Sequence, residues 1–490
     1  MERVLSILGL AALIALGCSS KSSGSHAASG GSAGSGGGAG SSGTGGGTAG
    51  TSGSAGSGGT GGGADGGSST PKVVRTIVGK TPASLTVTDV GVHPSSGDVV
   101  VVGQENDGAT SFLVEFGVTG AELSRREFLA APGHAYTMAL ELGANGAYHL
   151  GGMFQTNLTI GTQTFTEKDG FAGFLARVIP SGTGDTSQAY VYKGMLDQDI
   201  IDLARFQSGI VAAGTLRSTV NLHNQSLLAD SEGDALLSVE FNGATVPHAV
   251  LEGPGTQSFR GVTTDKVGLI TAVGESPSIP QLEVVGSPGS QLAIVARYDS
   301  SLSTRLWAVG IGSALNDAFS AVAADPADSG DVVAVGWAKG PVDVGAANPL
   351  PHEGGDDILV ARFDSAGGLK WARTFGGAAN DRAYGVGIAA GDIFVVGDTT
   401  SASLDFGTGV KTKYGPRDGY VLRLSGDGQP LWAELVGGPG EDFWGALTVD
   451  QGRVLVAGRF SGSITLLGET LVSTSTSANE YDIGVIMLEP

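Results

Sequence analysis

The chain has 490 residues, 84 of them glycine, with 15% charged and 6% aromatic residues, a single cysteine and a formal net charge of −21. One cysteine excludes a disulfide-stapled fold and a cysteine-ligated metal site, and 27 basic against 48 acidic residues exclude a protein that tracks nucleic-acid phosphates. The apolar share of 41% is enough for a large folded core, which excludes wholesale disorder.

Glu2 and Arg3 precede an apolar run, Val4 to Gly17, that ends at Cys18. The run is too short to cross about 30 Å of hydrocarbon and fits the apolar region of an export signal. A cysteine placed directly after it, behind the small Gly17, resembles the lipobox of bacterial lipoproteins. That resemblance implies a signal peptide over 1–17, lipidation of Cys18 and attachment to the outer membrane, facing the periplasm or the cell surface. Ala15-Leu16-Gly17 also fits the cleavage site of ordinary secretion. Residues 18–71 follow as a linker made almost wholly of Gly, Ser, Ala and Thr. Such a segment has no large side chains to offset its ordering entropy, so it reads as a disordered tether with a reach of roughly 40 Å. The charges up to residue 71 (Glu2, Arg3, Lys21 and Asp65) cancel, so the whole of −21 belongs to residues 72–490. An acidic body is not held on an anionic membrane by charge, which leaves attachment to the lipid.

From residue 72 one motif recurs: a short apolar strand ending in glycine. Its glycines are Gly103, Gly152, Gly214, Gly274, Gly336, Gly397 and Gly458, at intervals of 49, 62, 60, 62, 61 and 61 residues. Around Gly397 the unit resolves into four strands: Tyr384 to Ala389, Asp392 to Gly397, Asp418 to Leu424 and Pro430 to Leu435. Gly/Asp-rich turns separate them. Four short strands of this kind form an antiparallel meander, and radial repetition of such sheets predicts an all-β, seven-bladed β-propeller over 72–490. The stretch Asp357 to Asp364 with Leu369-Lys370-Trp371-Ala372, matched by Asp418 to Leu424 with Leu431-Trp432-Ala433, resembles the bacterial SBBP-type β-propeller repeat. The resemblance is clear over about 291–490 and implies a seven-bladed fold in a secreted or surface setting, with no shared activity. Lys72 to Gly79 repeats the fourth-strand pattern ahead of the first unit, and Asp482 to Leu488 is a third strand with no fourth after it. The N-terminal strand is therefore expected to close the last blade, removing two exposed edges.

In a meander the 2→3 and 4→1 connections share one face. Here the 2→3 connections are long, and six of them (154–168, 215–232, 275–290, 338–355, 399–416 and 460–480) are expected to carry a small β-hairpin. Long loops on a rigid scaffold are the usual place for binding. The 4→1 connections on that face hold Asp317, Asn380, Asp381, Glu441 and Asp442. These either ring the channel mouth as ligand carboxylates or fix their turns by bonding backbone N–H groups; recurrence at equivalent positions favours the second. Trp307, Trp371 and Trp432 share a fourth-strand position and read as packing residues, whereas Trp337 and Trp444 break that register and read as candidates for an exposed contact.

The seven histidines are scattered without a His-x-x-x-His pair, and no EF-hand-like run occurs, so no metal site is expected. Val78-Gly79-Lys80-Thr81 resembles the end of a P-loop, but Val74 stands where that motif needs glycine. No catalytic constellation or cofactor is expected. The reading is a monomeric, non-enzymatic binding or scaffold module on a tether, with a protein or glycan as partner. The alternative is a secreted polysaccharide hydrolase or lyase working from the long-loop face, with Asp381 and Asp442 as candidate carboxylates.

Overall fold

The computed structural model describes residues 70–490 apart from 81–83, 130–132, 144, 169, 182–184, 223–224, 242–246, 287–288, 290, 328, 347 and 475–479. Cys18, the signal segment and the linker up to residue 69 lie outside the described residues. Among the described residues the regular structure is β-sheet throughout, apart from one short 3₁₀ turn at Asn106–Gly108.

Seven sheets of meander topology follow one another along the chain. Blade one uses Leu85–Val92, Val99–Glu105, Thr110–Phe116 and Glu122–Leu129, and blade six uses Asp381–Ala389, Asp392–Thr399, Asp418–Leu424 and Pro430–Val436. Blade seven takes three strands from the end of the chain, Phe443–Asp450, Arg453–Phe460 and Asp482–Glu489, and its outer strand, Lys72–Gly79, from the beginning. The closing pair is antiparallel, running from Lys72 opposite Glu489 to Gly79 opposite Ile483. The inner strands touch in sequence, and blade seven returns to blade one. The expected closed ring is therefore present.

The second and third strands are apolar because both faces of each blade are covered. Val99–Glu105, Val332–Ala338, Asp357–Phe363 and Asp418–Leu424 are buried along their whole length. The buried apolar residues fall into seven clusters, one for each blade-to-blade interface. The core is thus a ring of interfaces, and it escapes the size limit of a single hydrophobic centre.

The recurring glycine has a mechanical cause. Every inner strand carries a β-bulge at the same position, as between Val87 and Asp89, Ile200 and Asp202, or Ala383 and Gly385. The bulge adds a residue and tightens the local twist, which pushes the carbonyl just before it towards the second strand. A Cβ on Gly397 would lie 1.9 Å from the Arg382 carbonyl oxygen, and on Gly274 1.8 Å from that of Ser258; the other five meet the same obstacle. The motif visible in the sequence is the imprint of the bulge.

Two side chains flank each of these glycines in register, and their sizes compensate. Phe319 pairs across Gly336 with Leu359, Ala383 across Gly397 with Tyr420, and Trp444 across Gly458 with Gly484. Volume-conserving exchange of this kind is what a close-packed interior tolerates.

Trp307 and Trp371 are packing residues as expected. Each indole lies against the 3→4 turn glycine of the next blade, Gly367 and Gly428, and donates its Nε1 proton to Ser365 O (3.0 Å) and Gly426 O (3.1 Å). The tight 1→2 turn of blade six, with positive φ at both Ala390 (53°) and Gly391 (87°), matches the right-handed twist of its strands.

Hairpins ride on four of the six long connections, at 157–166, 220–227, 403–412 and 463–472. The other two differ from expectation. In blade four Glu283–Val285 pairs in parallel with the outer strand Arg305–Ile311, giving a fifth strand. In blade five Val342 is buried and Asp343 bridges to Gly312 of the preceding blade, and the return is limited to one bond from Leu350 N to Val342 O (2.8 Å), with Pro349 and Pro351 on either side of it.

Candidate functional site

The acids of the 4→1 connections are structural clasps. Asp317, Asp381 and Asp442 are fully buried at the head of their inner strands. Asp381 accepts from Gly377 N (2.7 Å), Ser401 Oγ (2.8 Å) and Thr399 Oγ1. Asp442 accepts from Gly438 N (2.6 Å) and Ser461 N (3.0 Å), and Asp317 from Ser313 N, Ser313 Oγ (2.9 Å) and Lys339 N (2.9 Å). Each carboxylate therefore ties the turn four residues upstream to the start of the long connection in its own blade. Charge-assisted bonds to backbone N–H groups keep such a group ionised, yet burial pushes Asp442 up to about 6 and raises Asp317 as well. These residues do not form a ring of free ligand oxygens.

The two register-breaking tryptophans are also inside, contrary to the expected exposed contact. Trp444 is fully buried because Gly419, Gly458 and Gly484 leave the space its indole fills. Trp337 is 8% exposed and lies between the guanidinium groups of Arg260 and Arg382, each 5.3 Å from the ring. Asn380 is exposed, and its Oδ1 accepts from Asp356 N (3.1 Å). Glu441 is half-buried, and its backbone forms an isolated parallel β-bridge with that of Arg417 in blade six.

What does gather on the long-loop face is a charged and aromatic patch across blades four to six. The residue after each motif glycine occupies one equivalent position, and there the seven blades carry Gln104, Met153, Thr215, Glu275, Trp337, Asp398 and Arg459. A scaffold that repeats glycine and clasp faithfully leaves this position free to vary. Arg260 pairs with Glu275 (2.6 Å), Arg382 with Asp356, and Arg417 with Asp398 (3.0 Å). Tyr384, the bulged residue of blade six, interacts with Asp398; burial first and that carboxylate second push the phenol well up, so it stays a neutral donor. Arg260, Arg382, Tyr384 and Arg417 all keep partial exposure. Trp337 and Asn380 thus meet around Arg382 and its partner Asp356, whereas Asp381 is taken up by its own turn and Trp444 stays apart in the core. The arginines were not legible as site residues, since only the ring brings their strands together.

A second group belongs to the inner strands of blades one to three. Asp89 Oδ2 accepts from Leu140 N (2.8 Å) of blade two, and Asp202 Oδ2 from Val262 N (2.7 Å) of blade four. Glu141 pairs with Arg205 (3.2 Å). Burial pushes Asp202 and Glu141 up to about 7 and Asp89 well above the carboxylate range, and mutual repulsion adds to each aspartate. The folded protein therefore holds protons that the unfolded chain releases above about pH 4. Their stabilisation is complete below the unfolded value and is lost as pH rises through the folded one. Stability should fall by several kcal/mol as pH rises from about 4 to about 7, and the buried His149, held down at about 4 by desolvation, offsets part of that fall. Thermal melts across that range check this, and Asp202→Asn should shrink the slope; a stability that climbs from pH 5 to 8 would contradict it.

Among the described residues no group of three or more His, Cys, Asp or Glu side chains is placed to hold a metal ion. No family model matches the chain, and no curated protein matches it. Among solved structures, one described as "YCF48 bound to D1 peptide" is similar at a TM-score of 0.40 and 9% identity, with 85% of this chain and 94% of that chain covered. The strand pairing itself, not that likeness, makes this chain a seven-bladed propeller.

Proposed function

We propose that the protein is an exported lipoprotein of the cell envelope, anchored through Cys18, whose propeller of SBBP-type repeats is a non-enzymatic binding module for a protein or glycan. The observation that carries this reading is the division of labour among polar groups on the long-loop face. Asp317, Asp381 and Asp442 are occupied by turn N–H groups and hydroxyls, which speaks against their serving as hydrolase carboxylates. The partly exposed Arg260, Arg382, Tyr384 and Arg417, with Asn380 and Glu441 beside them, supply hydrogen-bonding and aromatic contacts on a rigid base.

The test has two arms on the full-length protein. Palmitate labelling in a bacterial host should be lost in Cys18→Ala; an unlabelled protein free in the medium would overturn the anchor. A glycan and surface-protein array should give hits that Arg382→Ala weakens by tenfold or more while its circular dichroism still reports the folded β-sheet. Turnover of a polysaccharide that disappears in Asp381→Asn, with the fold intact, would replace binding by catalysis.

A further inference from the structure

The seam that closes the ring holds a second, separate feature. On the short-turn face, between blades seven and one, lies a half-open cavity of about 510 Å³. This is within the range of small-ligand sites. Arg75 of the closing strand, Asp450 and Arg453 from the first turn of blade seven, and Glu489 at the end of its third strand line it, with Val118 and Met487 as apolar wall.

Its charges are not paired at ion-pair distance, and Asp98 acts on Arg75 only from farther away. Many arginines elsewhere meet carboxylates directly, as Arg362 meets Asp331 (2.9 Å) and Arg423 meets Asp392 (2.6 Å), although Arg373 turns to the Gly428 carbonyl instead. In the cavity Arg75 donates to the Gly117 carbonyl through Nη2, while its Nε is shielded from water and has no hydrogen-bond partner. Arg453 Nη1 rests 3.9 Å from the Met487 sulfur. Among the described residues neither guanidinium lies within ion-pair distance of a carboxylate. Two cations and two anions thus line one pocket without neutralising each other, next to apolar surface.

A ligand that satisfies all of these groups carries both charges on one apolar body. We propose that the closure cavity binds a zwitterion with an apolar side chain, a free α-amino acid being the smallest member of the class. Its carboxylate takes bonds from Arg75 and Arg453, which suit a planar carboxylate. Its ammonium faces Asp450 and Glu489, and its side chain rests on Val118 and Met487. Because the closing strand supplies Arg75, this site exists only when the ring is shut. The inference is independent of what the long-loop face binds.

Isothermal titration of the full-length protein with L-leucine, isovalerate and isoamylamine as probes tests it. Leucine should bind at least tenfold more tightly than either singly charged analogue. Arg453→Gln should weaken leucine by tenfold or more, whereas Arg382→Ala on the opposite face should leave it unchanged. Asp450→Asn, which leaves both guanidiniums in place, should keep isovalerate binding and remove leucine's advantage, so that a folding defect in one variant does not decide the outcome. No heat from any probe, equal affinity for leucine and the singly charged analogues, or full affinity in Arg453→Gln would each overturn the assignment.

Discussion

Gly397→Ala should unfold blade six, or leave a protein destabilised by about 4 kcal/mol or more, at the upper end of what single substitutions do. The methyl group is small, but it has nowhere to go. Its carbon would sit 1.9 Å from the Arg382 carbonyl oxygen and 2.9 Å from the Ala383 Cα, with the Tyr420 hydroxyl at 2.7 Å. Two of these three atoms are backbone, held by the bulge, and a backbone cannot rotate aside as a side chain can. Relief requires removing the bulge, which shifts the inner strand by one residue and turns its side chains to the wrong face. The interfaces with blades five and seven would go with it, because Val386, Ile388 and Ala389 pack into those two clusters. Gly426→Ala is the matched control: its added carbon would meet nothing closer than 3.4 Å, and the change should stay within about 1 kcal/mol. Urea unfolding followed by circular dichroism distinguishes the two. Equal midpoints for both variants would show that the bulge does not impose the glycine.

That glycine illustrates what the sequence made legible and what it concealed. Its recurrence, with an apolar strand before it, was enough for blade number, strand order and the closing pair, because two-sided burial writes itself as uninterrupted apolar runs. The reason for the glycine was hidden, since the crowding atom belongs to the neighbouring strand's backbone. The clasps were readable for the same periodic reason: Asp317, Asp381 and Asp442 recur because the turn recurs. Positions that do not repeat defeated the reading. Trp337 and Trp444 looked exposed because they fell outside the fourth-strand register, yet Trp444 fills the space left by Gly419, Gly458 and Gly484, and Trp337 is covered by Arg260 and Arg382. Arg260 and Arg382 come from blades four and six, and they converge only because blade five presents Trp337 between them. The hairpins expected within 275–290 and 338–355 gave way to a parallel fifth strand and to a bridge onto the preceding blade, pairings with strands that the local pattern does not announce.

Removing residues 72–79 should lower stability by roughly 3–6 kcal/mol and make the protein associate with itself. The strand contributes to two interfaces at once. Ile77 is 2% exposed within the cluster between blades seven and one, while Val73 and Val78 pack against the cluster between blades six and seven. Losing a fully buried isoleucine alone costs about 2–5 kcal/mol, before the two partly buried valines are counted. The larger consequence is geometric. Asp482–Glu489 pairs on one side with Arg453–Phe460 and on the other only with Lys72–Gly79, so deletion leaves its outer row of N–H and C=O groups unpaired. An open edge on an apolar strand is a template for another chain. Size-exclusion chromatography with light scattering should show concentration-dependent species larger than a monomer, and a peptide of the sequence KVVRTIVG added in trans should reverse both the association and part of the stability loss. The same peptide with Arg75 replaced by Gln should restore the ring but not leucine binding, which separates closure from the cavity that closure creates. A deletion variant that melts at the temperature of the intact protein and stays monomeric would mean that the ring is held shut by its blade faces alone.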